Sequence, residues 1–241
     1  MISNLYLNLI YLVFALVPVF IWMFFYYKKD LHPEPKKMIL KVFILGMLAA
    51  CLVGIIEIAV LKIVTGKSFL FIVLQSFLLI ALVEEVAKYL VVKTNVLTSP
   101  ELDEPLDVML YMVISALGFA AIENVILFFA SEHPYALGAV FNFALLRFGG
   151  AIFLHTLTSG VLGFFIALSF CSVNNKKTLY FSGFLIAIFL HGLFNIAIVR
   201  LTGSWRYLVP AIIVIVLAVI TTYGFAKLKK MKSTCKISLQ K

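Results

Sequence analysis

Apolar residues in this chain fall into seven long, nearly continuous runs separated by short polar loops. About 20 such residues cross a bilayer as a helix, because in lipid a helix pairs all of its own backbone polar groups. The pattern predicts helices over residues 5–26, 38–64, 69–92, 106–130, 148–170, 179–199 and 207–226. Residues 141–148 either lengthen the fifth span or lie at the interface, which leaves an eighth short membrane element open. The expected fold is an all-α polytopic bundle. Residues 1–226 form a single transmembrane helical domain, followed by a basic tail over 227–241. The first run is of spanning length and has no basic residue before it, so it reads as a retained transmembrane helix rather than a secretory signal.

Composition sharpens the class. The chain has 241 residues, 63% of them hydrophobic and 13% charged. A soluble domain carries about 25% charged residues, so an ordinary soluble fold is excluded and a multi-pass protein of the cell membrane is expected. The net charge of +9 does not imply a nucleic-acid partner, because the basic residues sit in short loops and the tail. Lys28, Lys29, Lys36, Lys37, Lys41, Lys93, Lys176, Lys177, Lys227, Lys229, Lys230, Lys232, Lys236 and Lys241 fall on one side. Lys62, Lys67, Arg200 and Arg206 fall on the other, while Lys88 and Arg147 lie in or at the edge of the membrane. Basic loops stay in the cytoplasm, so the amino terminus is expected outside and the carboxyl terminus inside.

The third span contains ALVEEVAKYL, residues 81–90. A charge near the middle of a membrane helix costs roughly 2.5–3.5 kcal/mol on insertion scales. Glu84 and Lys88 share a helix face as an i, i+4 pair, which leaves Glu85 needing a further partner. The fourth span adds Glu123 and Asn124. The fifth opens with Arg147 and carries His155, Thr156, Thr158 and Ser159. The sixth carries His191 and Asn195 on one face. Ionisable residues inside a membrane mark function by default, and acids and imidazoles on four consecutive spans are the candidate partners of one another.

A carboxylate in such a set can act as general base on water, and an imidazole can give up a proton or stabilise an oxyanion. Glu84, Glu85, Glu123, His155 and His191 are also the candidate ligands of a divalent metal such as zinc. The chain has no HExxH helix, no GxSxG elbow and no cysteine beside a histidine. An activated water is therefore favoured over a serine or cysteine nucleophile, with metal dependence open.

These residues resemble the PrsW-type intramembrane proteases, within the group that includes the CAAX-processing and bacteriocin-processing enzymes. The likeness runs from about Asp30 to Asn195. It rests on D-x-x-x-E-P at Asp30, Glu34 and Pro35, and on E-E-x-x-K at Glu84, Glu85 and Lys88. It continues with Glu104, Pro105, Asp107, Tyr111, Gly118, Phe119, Glu123 and Asn124, then His155 with Gly160, and H-G-L-F-N from His191 to Asn195. The resemblance implies hydrolysis of a peptide bond in a single-span membrane protein of the anti-sigma-factor type, in a stress response. Glu84 and Glu85 would activate water. His155 and His191 would act on the oxyanion or the proton, with Lys88, Glu123, Asn124, Asn195 and Arg147 supporting them. Asp30 and Glu34 would position rather than catalyse. The readings from other classes are a proton- or cation-coupled carrier, and a non-catalytic scaffold or immunity protein.

One site requires these groups at one depth. At about 1.5 Å per residue, the spans place Glu123, His155 and His191 in the outer half of the bilayer. Glu84 and Glu85 fall roughly 10 Å nearer the cytoplasm. Gln75 and Ser76 suggest a remedy, with the third span entering hydrocarbon late and so raising the pair.

Overall fold

The structure is a computed structural model, and it describes residues 2–29, 34–64, 66, 68–130, 137–172 and 174–231. Asp30 and His32 in the first loop, and residues 232–241 of the tail, lie outside the described residues. All regular structure in the described part is helical: α1 Ile2–Tyr27, α2 Lys36–Ile63, α3 Phe69–Leu74, α4 Leu82–Asn95, α5 Pro105–Ala130, α6 Leu137–Gly149, α7 Ala151–Cys171, α8 Lys176–Arg200 and α9 Trp205–Met231. A π-helical stretch, Gln75–Ala81, joins α3 to α4 without a break. Seven helices are long and apolar enough to cross a membrane, as the sequence pattern predicts. The chain is a multi-pass membrane protein.

The fifth span departs from expectation. Val140–Cys171 is a continuous apolar stretch of 32 residues, and as one straight helix it would be about 48 Å long against a hydrocarbon core of about 30 Å. It breaks instead at Gly150, whose φ of −105° and ψ of −97° depart from helical values. Residues 141–148 therefore belong to a separate helix, α6, which packs on α1 and α7. The last helix also runs past the expected end of the membrane domain, to Met231.

Helices α5 and α7 form the interior. Every residue of α5 from Pro105 to Ala121 is buried, and α7 is buried over most of its length. Around them stand α1, α2, α4, α8 and α9, which turn large apolar side chains such as Leu52, Ile55, Phe181, Leu185, Ile215 and Val219 outward. Lipid is as apolar as leucine, so burial of apolar area does not drive these helices together; close packing of small residues does. On the α2–α5 seam, a Cβ added at Gly46 would overlap the Ser115 carbonyl, and one added at Gly118 would overlap the Phe43 carbonyl. The two backbones meet twice where no side chain intervenes. Beyond this seam the α2 stripe continues with Ala50 and Val53, which pack on Phe119.

The lysine-rich end of α5 is fixed by acids. Asp107 Oδ2 accepts the backbone N–H groups of Asp103 (3.2 Å) and Glu104 (2.7 Å), satisfying donors that a helix start leaves open. Tyr111 donates its hydroxyl proton to buried Glu34 at 2.7 Å. Glu34 thus ties the first loop to α5.

Replacing Gly118 by Ala must push α2 away from α5. Overpacking of this kind costs about 1–3 kcal/mol, so the thermal unfolding midpoint of the detergent-solubilised protein is expected to fall. Gly54→Ala, on α2 but with open space around it, is expected to leave the midpoint unchanged or raise it.

Candidate active site

The site is built outward from Lys88. Its ammonium group is fully buried and lies 2.9 Å from Glu85 Oε1, 3.4 Å from Glu84 Oε2 and 2.8 Å from His155 Nδ1. It also stands 4.6 Å from the centre of the Phe119 ring, within cation–π range. The expected i, i+4 pair between Glu84 and Lys88 is present, but the shorter contact is to Glu85. One lysine thus gathers both acids of its own helix and a histidine from α7.

Glu85 is fully buried and its two oxygens are engaged. Oε1 accepts from Lys88 and from the Thr158 hydroxyl (3.1 Å), and faces His191 Nδ1 at 3.0 Å. Oε2 accepts from the Ser159 hydroxyl at 2.9 Å. Glu84 meets both imidazoles: its Oε2 is 3.5 Å from His155 Nδ1 and 3.8 Å from His191 Nε2. The two rings lie edge to face, 5.0 Å between centres. On its far side, His155 Nε2 contacts Glu123 Oε2 at 2.6 Å.

Each imidazole therefore spends one nitrogen on a carboxylate, His155 on Glu123 and His191 on Glu85, and turns the other toward Glu84. Histidines that ligate metals are held in this way, with the second ring nitrogen bonded to a carboxylate that sets tautomer and orientation. One ligand atom each from Glu84, His155 and His191 falls within a common span of 4.8 Å. Two imidazoles and a carboxylate form the donor set of a catalytic zinc site with an open position. Glu85 and Glu123, also expected among the ligands, stand one step behind as the partners of the two rings.

The expected depth mismatch does not arise, and two features account for this. A π-helical turn is wider than an α-turn and advances less per residue, so the stretch Gln75–Ala81 shortens the distance from Phe69 to Glu84. In addition, Cβ atoms tilt toward a helix's N-terminus. The N-terminus of α4 is at the lysine-poor end, whereas those of α5 and α8 are at the lysine-rich end. Glu84 and Glu85 lean one way, Glu123 and His191 the other, and they meet.

Arg147, on α6, pairs with Glu123 (3.3 Å) and donates from Nε to Asn124 Oδ1 (2.6 Å). Asn124 in turn donates to the Ala15 carbonyl at 3.2 Å. The structure thus brings Lys88, Glu123, Asn124 and Arg147 into the cluster. Asn195 is half-buried one turn beyond His191 and makes no side-chain hydrogen bond among the described residues.

One acid was missed. Glu57 on α2 lies within electrostatic reach of Glu123, Lys88 and Glu84. The signal was the one that exposed Glu84, an acid inside an apolar run, here CLVGIIEIAV. It has no charged residue within four positions and belongs to none of the motifs above. With it the cluster holds four carboxylates, Glu57, Glu84, Glu85 and Glu123, against two fixed cations, Lys88 and Arg147.

The model of the PrsW family, described as intramembrane metalloproteases, matches residues 34–223 of this chain. Protease PrsW of Clostridioides difficile (strain 630) is 30% identical over 206 residues, 84% of each chain. Protease PrsW of Geobacillus kaustophilus (strain HTA426) is 30% identical over 174 residues, 71% of this chain and 72% of its own. Protease PrsW of Bacillus subtilis (strain 168) is 24% identical over 211 residues, 87% of this chain and 89% of its own. No solved structure matches. The seven spans, the converging acids and imidazoles and these relatives lead to one assignment: the chain belongs to the PrsW family of membrane proteases.

Proposed function

We propose that this protein hydrolyses a peptide bond of a single-span membrane protein, of the anti-sigma-factor type that the family likeness implies, using water activated between Glu84, His155 and His191. The observation that supports this most directly is the arrangement of the two imidazoles, each anchored on a carboxylate and facing Glu84. The same three residues would hold a divalent ion such as zinc. That ion would polarise the scissile carbonyl and make a bound water acidic at neutral pH. Glu123 and Glu85 set the orientation of the rings. With both its oxygens committed, Glu85 is better suited to positioning than to taking a proton from water; where no ion is held, Glu84 is the better base. Lys88 keeps the two acids together in a medium that would otherwise favour their separation.

A metal-free reading has one specific observation behind it. The Lys88 ammonium stands 2.8 Å from His155 Nδ1, on the nitrogen an ion would share. In that reading Glu84 alone acts as general base, and an imidazole supplies the proton to the leaving amine.

The site lies toward the lysine-poor end of the bundle: Glu123 is seven residues from the end of α5 and His191 nine from the end of α8. With the amino terminus outside and the carboxyl terminus cytoplasmic, cleavage falls in the extracytoplasmic half of the membrane.

Glu84→Gln is expected to lower the turnover of a single-span reporter at least 100-fold, the lower range for loss of a general base, with an unchanged unfolding midpoint. Turnover within a few-fold of wild type would remove Glu84 from the chemistry. Elemental analysis of the purified protein is expected to find about one divalent ion per chain, and His191→Ala and Glu84→Ala are expected to lose it. Wild-type protein that cleaves the reporter after exhaustive chelation, with no ion bound, would decide for the metal-free reading.

Lys88→Met leaves Glu84 and Glu85 buried without their cation. Breaking one side of a buried ion pair costs about 3–5 kcal/mol, so thermal unfolding should shift sharply downward. Adding Glu85→Gln to Lys88→Met is expected to recover part of that loss, as it removes one of the stranded charges.

A further inference from the structure

The carboxylates of the site differ in how fully they are used. Glu85 accepts from Lys88, Thr158 and Ser159. Glu84 is shared by Lys88 and the two histidines. Glu123 is held by His155 and Arg147. Glu57 stands apart: its Oε1 is screened from solvent and has no hydrogen-bond partner among the described residues. An unmet acceptor of this kind costs about 1–3 kcal/mol, more when it is charged, and an apolar residue would avoid that cost.

Its position bears on what it could receive. Glu57 extends the stripe Gly46, Ala50 and Val53 by one turn. Below it, α2 is closed against α5 and α4 by Ala50, Val53, Phe119, Val83 and Ala87. Farther out, the π-helical stretch packs on α8, with the Phe77 ring against Gly192. Glu57 therefore sits where α2 and the third span part, on the approach to Glu84. Side-chain exposure rises along the same line, from none at Lys88 and Glu85 through 8% at Glu84 to 30% at Glu123. The two acids that keep this exposure, Glu84 and Glu123, are the two that lie within electrostatic reach of Glu57.

A peptide bond inside a helix cannot be hydrolysed without unwinding that helix. Unwinding releases backbone N–H groups, and non-helical backbone at membrane depth is tolerated only where protein or a wet cavity satisfies them. Such an enzyme must offer acceptors near the scissile bond. Building on the protease reading above, we propose that Glu57 is a substrate-binding residue: its carboxylate accepts a backbone N–H from the unwound segment of a membrane-spanning substrate as that segment enters between α2 and the third span. The specificity it confers is for a peptide able to leave helical form at this depth, not for a particular side chain.

The test uses the full chain in lipid nanodiscs and a fluorescent single-span peptide with a Gly-Ser-rich turn near its outer end, chosen from peptides that the wild-type chain binds. Binding is measured in the Glu84→Gln background, so no turnover is needed. Glu57→Leu is expected to weaken binding about tenfold, the scale of a hydrogen bond to a charged group. Glu57→Gln keeps a carbonyl acceptor and is expected to stay within about threefold of the parent. The unfolding midpoint of Glu57→Leu should equal or exceed the parent's, because an unmet acceptor has been removed. Unchanged binding by Glu57→Leu overturns the proposal. So does Glu57→Gln as weak as Glu57→Leu, since that would show recognition of a positive charge instead of an N–H. A second arm needs no substrate: Glu57→Cys, with Cys51 replaced by Ser, should react with a water-soluble maleimide above the background of the Cys51→Ser chain. Failure to react overturns the proposal, because a closed position cannot receive a peptide. A peptide that binds normally but is never cut by the wild-type chain overturns the protease reading and leaves the Glu57 contact standing.

Discussion

A lysine ammonium buried among two carboxylates and an imidazole is the constraint on which the rest of this bundle turns. The effective penalty for taking an ion out of water is several kcal/mol even after the protein relaxes, and lipid offers no alternative partner. Lys88 is affordable only because Glu84, Glu85 and His155 are already there. Each of them in turn needs partners of its own: Thr158, Ser159 and His191 for Glu85, and Glu123 for His155. The network ends at Arg147 and Asn124, which reach the backbone of α1. Charge satisfaction thus fixes which helices adjoin and how deep each sits, a task that burial of apolar surface performs in water but not in lipid.

Much of this was legible in the sequence because polar residues are so conspicuous against an apolar background. The seven spans follow from run length alone. The grouping of Glu84, Glu85, Lys88, Glu123, Arg147, His155 and His191 follows from their common need for partners. Less legible was which helices lie inside. The core helix α5 and the lipid-facing α2 have similar composition, since a side chain facing lipid is as apolar as one facing the core. The clue that distinguishes their contact is the pair Gly46 and Gly118, and it becomes decisive only when the two backbones are seen to meet at them.

Three further points lay beyond a linear reading. The depth of Glu84 depends on the winding of Gln75–Ala81 and on the opposed tilt of side chains in antiparallel helices, neither of which a count of residues per span includes. The division of labour among the acids depends on hydrogen-bond partners from other helices, so Glu84 and Glu85, adjacent in sequence, look alike until Thr158, Ser159 and the two imidazoles are placed. Asn195 illustrates the converse: a shared face with His191 brings it near the cluster, yet spacing along one helix does not say whether a partner waits across the gap.

The break at Gly150 has a mechanical corollary. It assigns Glu123's arginine and Glu123's histidine to different helices, Arg147 to the short one and His155 to the long one that follows. A swivel of the short helix about this joint would draw the guanidinium away while leaving the imidazole's backbone in place. The charge balance at the far nitrogen of His155 is therefore geared to the tilt of a peripheral helix, the element of this pair nearer the surface of the bundle.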